Sequence, residues 1–353
     1  MNYKTDKESI DFLFDLLNTS SPSGYEKEAR ELYVRYIKPY CDEVQCDAMG
    51  NVTGVLNGDN PVKILLAAHL DEVGLQITGI KPTGLLTFRP VGGIDILSLY
   101  GHEVNILSKH GKIKGIIGAD KERINFDSNN AVCLKYSDLW IDIATHDEEC
   151  SKMVEIGDFA CFSSNSRLRE QQVCSKSLDD KIGVFILSQV VRFAQKEKLA
   201  CCLYAAATVQ EEIGTRGMAV LAQNLKPHLG FIVDVGDVGY TNEKYNTKLQ
   251  IGKGAGLVKN ADNDLELLER VKLIAKENDI PIQLSAGRHI TGGTDSSRLQ
   301  LFGGGTRVID ISIPCKYMHS HNEIVNIRDV ESAVNLILKI ISNPELEKYS
   351  HKI

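Results

Sequence analysis

The chain has 353 residues, of which 43% are hydrophobic and 25% charged, and its formal net charge is −7. The length exceeds the roughly 250–300 residues at which a single core stops growing, so two domains are expected. The acidic balance, with no long basic run, argues against a nucleic acid or an anionic membrane as partner, and no apolar run approaches the roughly 20 residues needed to cross a bilayer.

The opening MNYKTDKESIDFLFDLL carries acidic residues and no uncharged apolar core, so it does not read as a signal peptide, and a cytoplasmic protein is expected. Ile10, Leu13, Phe14 and Leu17 recur at helical spacing and mark a first helix. It stops at the turn-rich TSSPSG, where Ser23 followed by Glu26 reads as a capping box for a second helix bearing Ala29, Leu32, Tyr33, Tyr36 and Ile37. The apolar run from Val62 to Ala68 predicts a buried strand, and it ends at His69-Leu70-Asp71.

From about Leu75 to Phe162 the texture changes to short alternating stretches separated by glycine, such as LQITGI, GHEVNIL and DLWIDIA, which predicts a small all-β unit of barrel type. Helix and strand alternation returns near Ser177. Ile182 to Phe193 predict a helix, Leu199 to Val209 a strand ending at Gln210-Glu211-Glu212, and Leu229 to Val233 a strand ending at Asp234. Asn263 and Glu266 open a further helix, Val308 to Ile313 form a strand, and Val330 to Ile341 form the last helix. The expected fold is α/β, a mixed sheet between helices with an inserted β-barrel domain. The expected division is a discontinuous catalytic domain over 1–74 and 163–353 and an inserted domain over 75–162.

The nine cysteines, Cys41, Cys46, Cys133, Cys150, Cys161, Cys174, Cys201, Cys202 and Cys315, are odd in number, scattered and without a CxxC pair, which reads as reduced thiols.

Three apolar strands end in His or carboxylate groups: His69 with Asp71, Glu211 with Glu212, and Asp234. Sites in open α/β sheets gather outside the carboxyl ends of strands. Asp179-Asp180 before a helix and His319-Ser320-His321 after a strand add further candidates. Each has a plainer role when taken singly: a hydrogen-bonded loop histidine, a helix cap for Asp179 or Asp180, a turn carboxylate for Asp234. Adjacent Glu211 and Glu212 after a long apolar run are harder to place without a cation, because like charges repel in a low dielectric. One metal needs three or four ligands; a longer set of His and carboxylate groups suits two metals that share a bridging carboxylate.

Six ordered stretches, AAHLDEVG at 67–74, KSLDDKIG at 176–183, TVQEEIGTRG at 208–217, IVDVG at 232–236, GGTDSS at 292–297 and KYMHS at 316–320, resemble the tetrahedral (TET-type) aminopeptidases, dinuclear metal exopeptidases formerly also labelled glucanases. The resemblance covers nearly the whole chain. It implies that His69 and Asp234 ligate one metal, Glu212 and His319 the other, and that Asp179 bridges. It further implies that Asp71 hydrogen-bonds His69, that Glu211 is the general base, and that the Asp179–Asp180 peptide is cis, as is common in the wider group. The implied activity is removal of N-terminal residues from short peptides with a free N-terminus, with two divalent ions (Zn, Co or Mn) and a homo-oligomer, a dodecamer built from dimers. Lys316 stands where the family has Arg, His321 where it has Pro, and GGTDSS where it has GGTDA. His321 could compete as a ligand; the motif favours His319.

Two other readings are set against this one. A carboxylate-pair glycosidase needs two acids facing across roughly 5–9.5 Å; neighbours on a strand point to opposite faces, and His69 and His319 would have no task. A metal-stabilised assembly protein that has lost catalysis is opposed by the intact set, Glu211 included.

Overall fold

The computed structural model describes residues 2–120, 134–238, 249–287, 290–302 and 304–350, with the side chain of Asp147 left out; Cys133 lies outside them. Among the described cysteines, Cys41, Cys46, Cys161, Cys174, Cys201, Cys202 and Cys315 are free thiols. No helix among the described residues is long and apolar enough to cross a membrane.

The core is an eight-stranded mixed sheet. In chain order its strands are β1 (Glu43–Cys46), β2 (Val52–Leu56), β3 (Lys63–His69), β12 (Cys202–Thr208), β13 (Leu229–Asp237), β14 (Ala255–Val258), β15 (Ile282–Ser285) and β16 (Arg307–Cys315). Across the sheet they lie in the order β1-β2-β12-β3-β13-β16-β14-β15. The central strands β12, β3, β13 and β16 run parallel. Strands buried on both faces read as continuous apolar runs rather than alternating ones. In β3, Ile64, Leu66 and Ala68 pack on the large core with the helices Lys7–Asn18, Lys27–Ile37, Leu178–Ala194, Leu265–Glu277 and Ile327–Ile341. Leu65 and Ala67 face Met218, Leu221, Ala222 and Leu299 on the other side, from the helices Arg216–Leu225 and Asp295–Leu299. The sheet is thus covered by helices on both faces.

Between β3 and β12 the chain builds the barrel. Its strands β4 (Gly74–Ile80), β5 (Leu86–Val91), β6 (Glu103–Ser108), β7 (Gly111–Ala119), β8 (Leu139–Asp142) and β9 (Phe159–Phe162) close in the order β4-β5-β8-β7-β6-β9. Its own core holds Leu75, Ile77, Leu86, Phe88, Val104, Ile106, Ile117 and Ile141. The α/β sheet with a closed small barrel matches the fold expected from the sequence. A third, three-stranded sheet pairs β10 (Arg167–Arg169), β11 (Gln172–Ser175) and β17 (Glu323–Asn326).

Two local expectations are corrected. The Ser23/Glu26 capping box does not form: the helix starts at Lys27 with no side-chain cap. Ser23 donates instead to Asp71, 48 residues away, at 2.6 Å, and Glu26 accepts from Gly24 N. The helix at 265 is capped by Asp264, which accepts from Leu267 N, while Asn263 is held by Asp310. In both cases a long-range partner displaces the local hydrogen bond.

Where the barrel leaves β3, Glu72 is buried between two buried lysines. Its carboxylate accepts from Lys176 Nζ at 2.6 Å, Lys181 Nζ at 3.0 Å, the Ser21 amide at 2.8 Å and the Ser177 hydroxyl. Burial alone would raise the pKa of Glu72, but the two ammonium groups hold it at about 2. With the folded pKa depressed, this contribution to stability is present above the ordinary carboxylate range and is lost as pH falls toward 2. Glu72→Ala leaves two buried ammonium groups without a counter-charge and is expected to cost about 3–5 kcal/mol. A lower urea midpoint for the metal-free variant would show this; an unchanged midpoint would contradict it.

Candidate active site

Register explains why distant residues meet. Thr208 of β12 is level with His69 of β3, and β13 aligns Ile232 with Ala67, which puts Asp234 at the level of His69. Glu211 and Glu212 follow the end of β12, so three parallel strands deliver their polar residues to one end of the sheet, as open α/β sheets do.

The remaining residues come from loops. The Asp179–Asp180 peptide is cis, as the resemblance implied, and both residues have non-helical backbone angles at the start of their helix. They diverge in task. Asp180 fills the capping role: its carboxylate accepts from Gly183 N and from His69 N, each at 3.1 Å. Asp179 splits its carboxylate between two rings, Oδ1 at 3.1 Å from His69 Nε2 and Oδ2 at 3.2 Å from His319 Nε2. His319 arrives from the loop after β16 in a left-handed conformation, φ 60°.

Glu212 Oε2 lies 3.5 Å from His319 Nε2, and Asp234 Oδ1 lies 3.9 Å from His69 Nε2. Among the described residues two groups could hold a cation, His69-Asp179-Glu212 and His69-Asp180-Asp234. All five expected ligands and Glu211 line one cavity of about 650 Å³, whose described walls include Asp237, Asn260, Thr294 and Met318. His69 Nδ1 lies 3.1 Å from the main-chain oxygen of Asp71. A carbonyl only accepts, so Nδ1 carries a proton, and Nε2 is the nitrogen that faces the cavity.

The donor set fits divalent cations. With bonds of about 2.0–2.1 Å, tetrahedral ligand atoms stand about 3.3 Å apart, close to the spacings around Asp179. Glu212 Oε1 is buried with no hydrogen-bond partner among the described residues, a cost that a cation removes. Burial and neighbouring carboxylates drive the pKa values of Asp180, Glu211, Glu212 and Asp234 well up. Burial pushes Asp179 the same way, but the His319 and His69 rings outweigh it and hold that group low. Burial works against a charged His69 ring, yet the Asp179 and Asp71 carboxylates carry its pKa up. This is an electrostatically unbalanced pocket of the kind that binds metal or performs catalysis.

Asp71 lies where its motif suggested, but its carboxylate serves mainly others. Oδ1 accepts from Glu211 N at 3.0 Å and Oδ2 from Glu212 N at 3.2 Å and from Ser23, while Oδ1 to His69 Nδ1 is 3.6 Å. His321 turns away and stacks on His102 of the barrel unit, centroids 4.4 Å apart. Lys316 is not among the described lining residues. Sequence reasoning missed Ser23 and the loop after β5. There Gly92, at φ +80°, would set an added Cβ 3.2 Å from Glu212 Cβ, and Gly93 would set one 3.5 Å from His319 Nδ1. The VGGI run was the available signal, since adjacent glycines permit close backbone approach.

The profile of M42 glutamyl aminopeptidases matches residues 50–336. The chain belongs to the M42 family. A TET aminopeptidase from a marine sediment archaeon (Thaumarchaeota archaeon SCGC AB-539-E09) superposes with a TM-score of 0.91 at 31% identity, over 98% of this chain and 99% of that one. The TET1 peptidase of Pyrococcus horikoshii superposes with 0.84 at 33% identity, over 94% and 99%. A lysyl aminopeptidase of Pyrococcus furiosus is 29% identical over 326 residues, 91% of this chain and 93% of that one. This M42 chain is a metal-dependent aminopeptidase, a hydrolase; the glycosidase reading is not favoured.

Exhaustive chelation is expected to abolish hydrolysis of aminoacyl amides, and a divalent ion to restore it. Full activity in protein shown to be metal-free would contradict the site.

Proposed function

We propose that this chain removes N-terminal residues from short peptides at a two-metal site, with His69 and Asp234 on one ion, Glu212 and His319 on the other, and Asp179 shared. The observation that carries this reading is the Asp179 carboxylate, whose two oxygens face two different imidazole nitrogens at 3.1 and 3.2 Å. Asp180 offers oxygens near His69 and Asp234, but both already accept main-chain amides, so Asp179 is the better bridge. His and carboxylate donors without thiolate suit Zn, Co or Mn. Bound there, the ions supply Lewis acidity that activates water and polarises the scissile carbonyl.

Glu211 faces the same cavity and is not needed as a ligand. Burial raises its pKa well above the ordinary carboxylate range, which suits a group that takes a proton from water and returns it to the leaving amine. Asp71 holds the Glu211 and Glu212 amides and so sets where base and ligand point. The carboxylates on the cavity wall favour a cationic free α-amino group, so a blocked N-terminus is a poor substrate.

The barrel, 75–162 in this reading, serves self-association, and the rest is catalytic. It exposes Leu97, Tyr100, Ile116 and Ile156, with Leu97 75% and Ile156 69% accessible, more than a barrel with its own closed core requires. The P. horikoshii TET1 peptidase can assemble into a tetrahedron or a large octahedral shell, which supports a large homo-oligomer; its order in this proposal is dimers through the barrel and a dodecamer built from them. Unpaired thiols suit a reducing compartment, the cytoplasm.

Glu211→Gln preserves shape and removes the proton acceptor. We expect kcat to fall about 10²–10⁴-fold with metal content retained; parent-like turnover would refute the assignment. Light scattering of metal-loaded protein checks assembly. An assembly of dimers is expected, and a strict monomer at micromolar concentration would rule it out.

A further inference from the structure

Asp179 and His319 come from loops 140 positions apart, and something must keep their side chains at a fixed separation. The three-stranded sheet supplies the first part. β11 leads into the Asp179 loop, β17 follows the His319 loop, and the two strands pair antiparallel with Ser175 opposite Glu323. Glu323, the first residue of β17, is buried, 2% accessible. Its Oε2 accepts from the Asp179 amide and its Oε1 from the His319 amide, each at 2.9 Å.

We propose that Glu323 is a positioning residue that sets metal affinity, by tying the backbone of Asp179 to that of His319 through one carboxylate. The inference rests on the two-metal reading. Two amide donors approach two different oxygens, which only a carboxylate satisfies; an amide side chain would turn an NH₂ group toward one of the N–H donors. The His319 end carries a second burden, because its backbone is held at φ 60°, a region a non-glycine residue adopts only when fixed by its surroundings. The Glu323 side chain does not line the cavity among the described residues, so it acts through the two loops and not on the substrate. Cross-linked this way, the Asp179 and His319 side chains meet a cation without first losing loop freedom, and affinity follows from that.

The test is a calorimetric titration of metal-free full-length protein with Zn²⁺, for the parent, Glu323→Gln and Glu323→Asp. The parent is expected to take up two equivalents. Glu323→Gln is expected to bind about 10–100-fold more weakly, with the larger loss at the ion that depends on both Asp179 and His319. Glu323→Asp keeps two acceptors on a shorter stem that cannot reach both amides as well, and is expected to bind about tenfold more weakly. Parent-like affinity of Glu323→Gln for both ions, within twofold, overturns the proposal. If Glu323→Gln does not fold, Glu323→Asp decides: tenfold weaker binding supports the proposal and parent-like binding overturns it. A role confined to holding the fold would lower the urea midpoint of the metal-free protein and leave zinc affinity alone, which also overturns it. A parent that binds no zinc defeats the two-metal reading itself, and so separates the two failures.

Discussion

Asp71, Asp179, Asp180, Glu211, Glu212 and Asp234 converge at the carboxyl end of three parallel strands, with two imidazoles and no lysine or arginine among the described lining residues. Burying that much like charge is unfavourable unless it is neutralised or paired. Burial holds four of these groups well above the ordinary carboxylate range. Cations at the centre resolve the repulsion, and in doing so supply the chemistry of a metal-dependent aminopeptidase.

The acids divide by what their oxygens already hold. Asp71 takes the amides of Glu211 and Glu212, Asp180 those of His69 and Gly183, and Glu323 those of Asp179 and His319. Each is committed to main-chain donors and sets backbone position. Asp179 and Glu212 turn oxygens toward imidazole nitrogens or leave one without a partner among the described residues, and Asp234 faces the His69 ring while its Oδ1 also accepts the amide of the adjacent Val235. These are the groups available to a cation. The same economy places Glu72 outside the site: its oxygens are satisfied by Lys176 and Lys181, so that charge is balanced within the protein.

This division explains what could be read before the fold was known. The apolar runs of β3, β12 and β13 are continuous because both faces are covered, and the polar residues at their ends stand out against them. The barrel announces itself by period-two stretches between glycines. His69, Glu211, Glu212 and Asp234 were therefore legible as a group, Asp179 and His319 were legible as further candidates in turns, and the family motifs chose them over Asp180 and His321. Glu323 and Gly92 were not singled out and Ser23 was given only a local cap, because their partners lie 48 to 144 residues away or are main-chain atoms, and neither leaves a spacing to count. Ser23 even misled: a serine three residues before a glutamate is a fair cap signal, but the buried Asp71 carboxylate is the stronger acceptor.

The barrel supplies none of the expected ligands, yet it is not remote from them. The Gly92–Gly93 backbone packs against Glu212 and His319, and His102 stacks on His321, two residues beyond His319. Glu72, at the point where the chain leaves β3 for the barrel, is clamped by Lys176 and Lys181 on either side of Asp179. The inserted unit is thus fixed to the ligand loops from two directions, by a buried ion-pair cluster at its root and by close backbone packing at its β5 loop. Glycine at 92 is what allows the second contact, since its φ is +80° and an added Cβ would stand 3.2 Å from Glu212 Cβ, while one at Gly93 would meet the His319 ring at ordinary contact distance. Glu212 and His319 therefore stand against the inserted unit as well as at the end of the eight-stranded sheet, and a displacement of the barrel would reach the cavity wall that they form.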